Sequence, residues 1–272
     1  MPFFSGLHFE SLGSGQPIIF LHGLGLNAES MRGFFEPSLE KATTPSYQRV
    51  YVDLPGMGES IMPPELTTSD QVLAMIHKFI TPIAGGRKAI LVGHSYGGYL
   101  ALGLIAKHPQ NFVGAFLTAP VVIAEKSKRT VAAQKHLILE PIRPETPAFQ
   151  DFLKMNVKVS TQTWADYQRL ILPGIKQFNL AAWNQIKASG HYAFSFEPQL
   201  PKLLDQSLPV HMILGQNDTE VGYGDQLGFS AQMPTIIRTC LVSAESGRIV
   251  ENRLRSLSCQ IIQAIFLERN LR

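Results

Sequence analysis

Short apolar runs alternate with amphipathic helical patterns along the first half of the chain. Residues 17–21, 49–52 and 89–92 are mainly apolar and are bounded by polar residues or glycine, which is typical of strands buried on both faces of a sheet. Residues 7–12 predict an opening strand that ends at the Gly-Ser-Gly turn at 13–15. This alternation favours a mostly parallel sheet covered by helices.

Two helices are predicted between and after these strands. Apolar side chains within 72–83 recur at steps of three and four residues, so they form one buried face of a helix. Thr68 or Ser69 can cap its start, because a hydroxyl accepts a hydrogen bond from a free backbone N–H. A second helix is predicted over 95–108, and Pro109 ends it.

Three further strands and one more helix complete the pattern. Residues 113–117, 210–214 and 239–242 are apolar runs of strand length. A final amphipathic helix is predicted over 254–265, where leucine and isoleucine recur on one face. The second half of the chain therefore adds strands to the same sheet.

The interval 121–204 interrupts this regular alternation. It contains no clear buried strand, and prolines separate its helical segments. We therefore predict an α/β core formed by residues 1–120 and 205–272, with residues 121–204 inserted as a helical cap over one end of the sheet.

Composition excludes several classes of protein. The chain has 272 residues, of which 45% are hydrophobic and 17% charged, so it is neither disordered nor collagen-like. A net charge of +3 is too dilute for nucleic-acid binding, and we expect the short basic run at 126–129 to be a solvated face. With no signal-peptide pattern and no apolar run long enough to span a membrane, we expect a soluble cytoplasmic protein with no membrane or nucleic-acid partner.

The segment at 93–98, Gly-His-Ser-Tyr-Gly-Gly, is the clearest chemical motif. It follows the apolar run at 89–92 and opens a helical pattern. A nucleophilic serine needs such a strand-to-helix turn, because glycines allow the chain to bend tightly and the hydroxyl is held at the edge of the sheet. Ser95 is therefore the candidate nucleophile.

Three more segments support a family resemblance. Leu-His-Gly-Leu-Gly at 21–25, Asp-Leu-Pro-Gly-Met-Gly-Glu-Ser at 53–60 and Leu-Gly-Gln-Asn-Asp at 214–218 each follow a predicted strand. With the serine motif, and in this order, they resemble the α/β-hydrolase fold superfamily, in its serine-nucleophile, cap-bearing branch. The resemblance covers essentially the whole chain and implies an α/β-hydrolase fold.

The resemblance also implies roles for single residues. Ser95 would attack the substrate, and the backbone N–H groups of Leu24 and Tyr96 would form the oxyanion hole, where fixed donors meet developing negative charge. Asp218 would be the acid that orients a catalytic histidine. Glu220 and Asp225 are its nearby alternatives.

The expected histidine is missing from the chain. The family places it in the loop after the last strand, and here that slot holds Arg248, while residues 219–272 contain no histidine. Arginine has five donors, no acceptor and a pKa above about 12, so it is no base at neutral pH. A triad without one member retains roughly 10³–10⁴-fold catalysis over water, so we expect weak or atypical activity.

Other histidines are possible substitutes. His136 and His191 belong to the insertion and could reach the serine from above, with His191 favoured because it follows a glycine. His22 belongs to the oxyanion loop, where its usual task is to hold backbone. His94 is expected to point away from Ser95.

Arg248 has three interpretations and leads to two hypotheses of function. In the first interpretation its side chain points to solvent. In the second it forms a salt bridge with Asp218, and in the third it binds an anion in the pocket. The protein is accordingly a serine hydrolase of small esters, amides or related acyl compounds, or an inactive ligand-binding or sensor protein. A third hypothesis is an interaction module that uses the insertion as its surface.

The first two hypotheses both imply a small molecule as substrate or ligand. The sequence contains no metal-binding, phosphate-binding or dinucleotide-binding motif, so it predicts no metal and no cofactor. It makes no prediction of oligomeric state.

Overall fold

The computed structural model describes residues 3–40, 46–204, 208–233 and 237–242. Eight of its strands form one sheet, and two short strands form another. The strands are β1 (Phe3–Phe4), β2 (Leu7–Leu12), β3 (Gln16–Leu21), β4 (Tyr47–Val52), β5 (Ala89–His94), β6 (Phe112–Thr118), β7 (Leu137–Ile138), β8 (Lys158–Val159), β9 (Val210–Gly215) and β10 (Ile237–Val242).

The large sheet is mostly parallel, as predicted. Its strand order is β1-β2-β4-β3-β5-β6-β9-β10. Strands β1 and β2 run antiparallel to their neighbours. The other six strands of this sheet run parallel to one another. Every strand predicted from an apolar run is present. The carboxyl ends of the parallel strands therefore meet at one edge of the sheet.

Helices cover this sheet and fill the interval 121–204. They are α1 (Ala28–Leu39), α2 (Ser69–Ile83), α3 (Tyr96–Lys107), α4 (Pro147–Met155), α5 (Thr161–Asp166), α6 (Leu172–Lys176), α7 (Leu180–Ala188), α8 (Leu200–Leu203) and α9 (Gly224–Ala231). The predicted cap of α2 is confirmed at Thr68, whose hydroxyl accepts a hydrogen bond from the Gln71 N–H. A π-helical turn at Tyr167–Ile171 joins α5 to α6.

The core lies on both faces of the central strands. In β3, Ile19 contributes to the cluster under α2 and α3, whereas Ile18 contributes to the cluster under α1. In β5, Leu91 and Ile90 divide in the same way. Successive side chains of a strand point to opposite faces, so a strand covered on both sides must be apolar at every position. This double burial explains the continuous apolar runs.

The interval 121–204 lies between β6 and β9. It contains helices α4 to α8 and also the two-residue strands β7 and β8, which pair with each other and which the sequence pattern did not predict. Its own aromatic cluster includes Phe149, Phe152 and Tyr167. The recorded ring contacts of these residues are with one another and with Trp164.

Three hydrogen bonds fasten this interval to the carboxyl edge of the sheet. The Trp183 indole N–H donates to the Pro55 carbonyl over 3.0 Å, and the Asn179 N–H donates to the Gly56 carbonyl over 2.8 Å. The Asn27 amide donates to Gln177 over 3.1 Å. The segment around α6 and α7 therefore lies over the loops that follow β3 and β4.

Within the described ranges, no helix combines the length and apolar character needed to cross a bilayer. Arg248 and the helix predicted over 254–265 lie outside the described residues.

Candidate active site

Ser95 occupies a strained turn between β5 and α3. Its φ is 51° and its ψ is −114°, a conformation that L residues rarely adopt and that costs about 1–3 kcal/mol. Three backbone hydrogen bonds hold it there: the Ser95 N–H donates to the Thr118 carbonyl over 3.0 Å, and the Ser95 carbonyl accepts from the Tyr99 and Val121 N–H groups, each over 3.1 Å. Such strain, held by its surroundings, is typical of functional positions.

The glycines around Ser95 are required by close backbone approach. A Cβ on Gly97 would lie 2.0 Å from the Leu21 carbonyl oxygen, and a Cβ on Gly93 would lie 2.6 Å from the Gly97 carbonyl oxygen. No side chain fits at either position. The turn predicted from the motif therefore has a direct steric explanation.

Two backbone donors flank the serine. Tyr96 is the first residue of α3, so its N–H has no partner within the helix, and the structure records no acceptor for it or for the Leu24 N–H among the described residues. Gly23, next to Leu24, packs against the serine, since a Cβ there would lie 3.2 Å from the Ser95 Cβ. The buried Tyr96 hydroxyl is engaged with Ser69 over 2.8 Å. The N–H groups of Leu24 and Tyr96 thus belong to the two segments that lie next to the Ser95 side chain.

His22 holds the backbone of the loops that follow β3 and β4. Its Nδ1 lies 2.8 Å from the Gly23 carbonyl oxygen, and its Nε2 accepts a hydrogen bond from the Leu54 N–H over 2.9 Å. Burial lowers the pKa of His22, because the charged form loses its hydration. With both nitrogens engaged, the ring is neutral and structural.

The contacts of Asp53 account for the conformation of the segment at 53–60. Its carboxylate accepts hydrogen bonds from the Ala28 N–H at 2.6 Å and the Glu59 N–H at 3.0 Å, and lies 2.7 Å from His8 Nδ1. A Cβ on Gly58 would lie 2.2 Å from the Asp53 carboxyl carbon. This buried carboxylate ties the end of β4 to α1 and β2, and so supports the loops under the site.

Asp218 lies in the loop after β9. One carboxylate oxygen, Oδ1, accepts hydrogen bonds from the Glu220 and Val221 N–H groups, each over 2.8 Å. The Asp218 carbonyl accepts a bond from the Ala132 N–H over 3.2 Å. For Oδ2 the described part of the chain provides no recorded partner. The side chain is half-buried and is held by its own loop, with one oxygen available to another group.

The two alternative acids are engaged elsewhere. Glu220 is exposed and pairs with the Lys126 ammonium over 2.8 Å. Asp225 accepts a hydrogen bond from the Thr130 N–H over 2.7 Å. Both contacts join the start of the insertion to the loop that carries Asp218, so these carboxylates support that loop.

Arg129 is a supporting residue that sequence reasoning missed. Its guanidinium donates to the carbonyls of Ile123 and Ala124, each over 2.8 Å, and to that of Glu220 over 3.1 Å. The expectation of a solvated basic face holds for Lys126 and its neighbours up to 128, which are exposed, but it is wrong for Arg129. A run of charges carries no signal that separates these two situations.

The histidines of the insertion do not contact the serine. His136 is exposed, and its Nε2 lies 2.9 Å from the Leu153 carbonyl oxygen. His191 is exposed at the margin of a cavity of about 380 Å³, and its carbonyl accepts the Ser69 N–H over 2.9 Å. In the described part of the chain neither imidazole is bonded to Ser95. A base supplied by either ring stays a prediction.

His94 ends β5, directly before Ser95. Its Nδ1 lies 3.1 Å from the Thr118 carbonyl oxygen and 3.0 Å from Thr118 Oγ1. Burial lowers the pKa of His94, and the negative charge of Asp218 opposes that shift. No hydrogen bond joins this ring to Ser95 in the described structure, in keeping with the expectation that it turns away.

Comparison with known proteins identifies relatives over the whole fold. Residues 18–244 match the model of the alpha/beta hydrolase family. An alpha/beta superfamily hydrolase from Oenococcus oeni is 37% identical, with 97% of this chain and 96% of that chain covered and a TM-score of 0.84. A thermophilic esterase from Thermogutta terrifontis shares the fold at 19% identity, with coverage of 95% and 93% and a TM-score of 0.64.

A curated relative shows a shorter match. The pimeloyl-[acyl-carrier protein] methyl ester esterase of Shewanella woodyi is 36% identical over 110 residues, which is 40% of this chain. The matched segment spans 38% of that relative's length. This similarity is therefore confined to part of each protein.

Proposed function

Because this chain belongs to the alpha/beta hydrolase family, we propose that it is a hydrolase of esterase type that acts through Ser95 on a small ester, amide or related acyl compound. The observation that carries the proposal is the positive φ of Ser95, held by hydrogen bonds on both sides of the residue. The names of similar proteins, which include esterases, support the reaction class.

The chemistry follows from the donors around the serine. The Ser95 oxygen attacks the acyl carbon, and the negative charge that develops on the substrate oxygen accepts hydrogen bonds from the Leu24 and Tyr96 N–H groups. Fixed donors of this kind contribute about 3–4 kcal/mol each to the stability of a transition state. The positive end of the α3 dipole acts in the same direction. Departure of the leaving group yields an acyl-enzyme, which water hydrolyses.

Asp218 would stabilise the positive charge that forms on a base during proton transfer. Its Oδ1, held by two backbone N–H groups, fixes the carboxylate in an orientation that suits that role. Because Arg248 occupies the histidine position of the family pattern, the proton acceptor must be another group, and turnover would be slow relative to an intact triad.

Residues 121–204 would act as the cap of this site. Phe178 of this interval lies 3.5 Å from where a Cβ on Gly25 would be placed, and Gly174 packs on Leu26. Leu26 in turn lies beside Gly23 and the serine turn. These apolar contacts above the oxyanion loop favour a small, mostly apolar acyl group.

Covalent labelling by a fluorophosphonate tests the proposal. We expect stoichiometric labelling of the wild type within minutes, detected as an intact-mass increase, and no labelling of Ser95→Ala. Absence of labelling over hours in a protein that is folded by circular dichroism would contradict the proposal.

An inactive ligand-binding protein is the second candidate. The observation that favours it is Arg248 at the histidine position, together with the two backbone donors near Ser95. The variant Arg248→His separates the candidates. If the site lost turnover with its histidine, this variant gains esterase activity by orders of magnitude, whereas in an active enzyme with another base it gains little.

A further inference from the structure

We infer that Gln226 is a positioning residue, whose side-chain amide fixes the turn at Ser95 and the loop that carries Asp218 relative to each other. The inference rests on the proposed function, because it concerns how the nucleophile and the acid of that reaction are held in place. Gln226 lies in the first turn of α9 and is 1% exposed. A polar side chain that is buried to this extent is normally held by hydrogen bonds.

The amide nitrogen of Gln226 bridges two loops. Its Nε2 donates to the Pro120 carbonyl over 2.9 Å and to the Val221 carbonyl over 3.0 Å. Pro120 lies in the segment after β6, and Val221 lies in the loop after β9. Both partners are carbonyl oxygens, which only accept hydrogen bonds, so the two hydrogens of one primary amide satisfy them both.

The first of these carbonyls is connected to the nucleophile. The Pro120 carbonyl belongs to the same peptide group as the Val121 N–H, which donates to the Ser95 carbonyl over 3.1 Å. That bond is one of those that hold Ser95 at its positive φ. Because a peptide group is planar, fixing its carbonyl also fixes the direction of its N–H. Gln226 therefore acts on the Ser95 turn through this peptide group.

The second carbonyl is connected to the acid. The Val221 carbonyl belongs to the same peptide group as the Gly222 N–H, which donates to Asp218 Oδ1 over 3.4 Å. The same oxygen accepts a shorter bond from the Val221 N–H over 2.8 Å. Gly222 has a φ of 71°, and a Cβ there would lie 2.0 Å from the Thr130 carbonyl oxygen, so this peptide group is also confined on its other side. One side-chain amide thus connects the Ser95 backbone to the Asp218 carboxylate through two peptide groups.

The side-chain oxygen of Gln226 shows that packing alone does not account for this residue. Its Oε1 is buried, and in the part of the chain that the structure describes it has no hydrogen-bond partner. A buried acceptor without a partner lowers stability, and a methionine would fill a similar space without burying a polar atom. The contribution of the side chain therefore lies in its two donors, which a positioning role requires.

The variant Gln226→Met tests the inference, because methionine has a similar length and no donor. Labelling of Ser95 by a fluorophosphonate at several reagent concentrations gives the affinity for the reagent and the maximal rate of the covalent step separately. We expect the maximal rate to fall on the order of 10²-fold, since a misplacement of about 1 Å between reacting groups has an effect of this size. We expect the affinity to stay unchanged.

Two comparisons separate positioning from stability. A merely structural role would lower the amount of folded, labelled protein and leave the labelling rate of the folded fraction unchanged. The matched control is Gln232→Met, at the exposed end of the same helix, which we expect to label as fast as the wild type.

A second variant, Gln226→Glu, keeps the inference testable if methionine prevents folding. A protonated carboxyl group retains one donor, whereas an ionised one has none and would face two carbonyl oxygens. Burial raises the pKa of such a carboxyl group, so it loses its proton within the range of the measurement. We expect the labelling rate of this variant, divided by that of the wild type, to decrease as the pH rises from about 5 to 8. A ratio that does not depend on pH would overturn the inference.

The outcomes separate this inference from the proposed function. If the wild type is labelled and folded Gln226→Met is labelled with the same maximal rate, the inference is wrong, while the proposed function stands. A change in reagent affinity alone would also overturn it, because Gln226 would then act on ligand binding. If the wild type is not labelled at all, the proposed function fails, and the inference fails with it.

Discussion

The serine turn and the acid loop are held in different ways. Ser95 is positioned by glycines within two residues of it and by the neighbouring strand ends. Asp218 is positioned by its own turn and by residues about 90 positions earlier in the chain, among them Arg129 and Thr130. The turn at Ser95 is therefore built by a local motif, whereas the loop that carries Asp218 depends on contacts with Arg129 and Thr130.

Breaking the serine turn should have the largest effect. In Gly97→Ala the added Cβ would meet the Leu21 carbonyl oxygen, which belongs to the buried strand β3 and has no room to move. We expect the free energy of unfolding, measured by urea denaturation, to fall by about 3 kcal/mol or more. The control is Gly228→Ala in α9, where no atom lies within 4 Å and alanine should be neutral or slightly stabilising.

Replacing Arg129, which supports the loop that carries Asp218, should have a smaller effect. Arg129→Gln loses charged hydrogen bonds to three carbonyls, and we expect a decrease of about 1.5–3 kcal/mol in the free energy of unfolding. Hydrogen exchange should accelerate at the amides of residues 220–222 but not at Val121, which bonds to Ser95. Equal acceleration at both places would show that the two regions are not independent. Lys128→Gln, at an exposed ion pair, serves as the control.

The free energy of unfolding should depend on pH through the two buried histidines near Ser95. Burial lowers the pKa values of His22 and His94 from 6.5, so below that pH the unfolded chain binds more protons than the folded one. Stability should fall as the pH is lowered through 6.5, by at most about 1.4 kcal/mol per pH unit for each ring. His77 and His108 act in the same direction, so the diagnostic quantity is the difference in slope between the wild type and His94→Asn. An unchanged slope would contradict this prediction.

Much of the architecture was predictable from periodicity. Apolar runs mark the central strands β3, β5, β6 and β9, because burial on both faces requires apolar side chains at nearly all positions. Strands β2, β4 and β10 were also predicted, although each contains partly buried or exposed positions. Helices α1 and α9 were not predicted. In α1, Met31, Phe35 and Leu39 recur at four-residue steps and Asn27 caps the start, so the sequence does contain a helical pattern there. Helix α9 contains two glycines, and its sequence shows almost no helical pattern.

The candidate site was predictable only in part. The strand-to-helix turn at Ser95 follows from the spacing of its glycines, and the contacts of His22 with backbone agree with the role that the family resemblance implies for it. Nothing in the sequence shows that Asp53 accepts two backbone N–H groups, or that Arg129 spans three carbonyls. Those contacts join segments that are far apart along the chain.

Short-range pattern thus accounts for the elements of this protein and for the bend at Ser95, because steric and hydrophobic constraints act between residues a few positions apart. The orientation of the His94 ring toward Thr118, the support of the loop that carries Asp218 and the position of α6 and α7 over the loops after β3 and β4 follow from packing. They depend on which surfaces meet once the strands are ordered in the sheet, and such long-range contacts leave no periodic trace in the sequence.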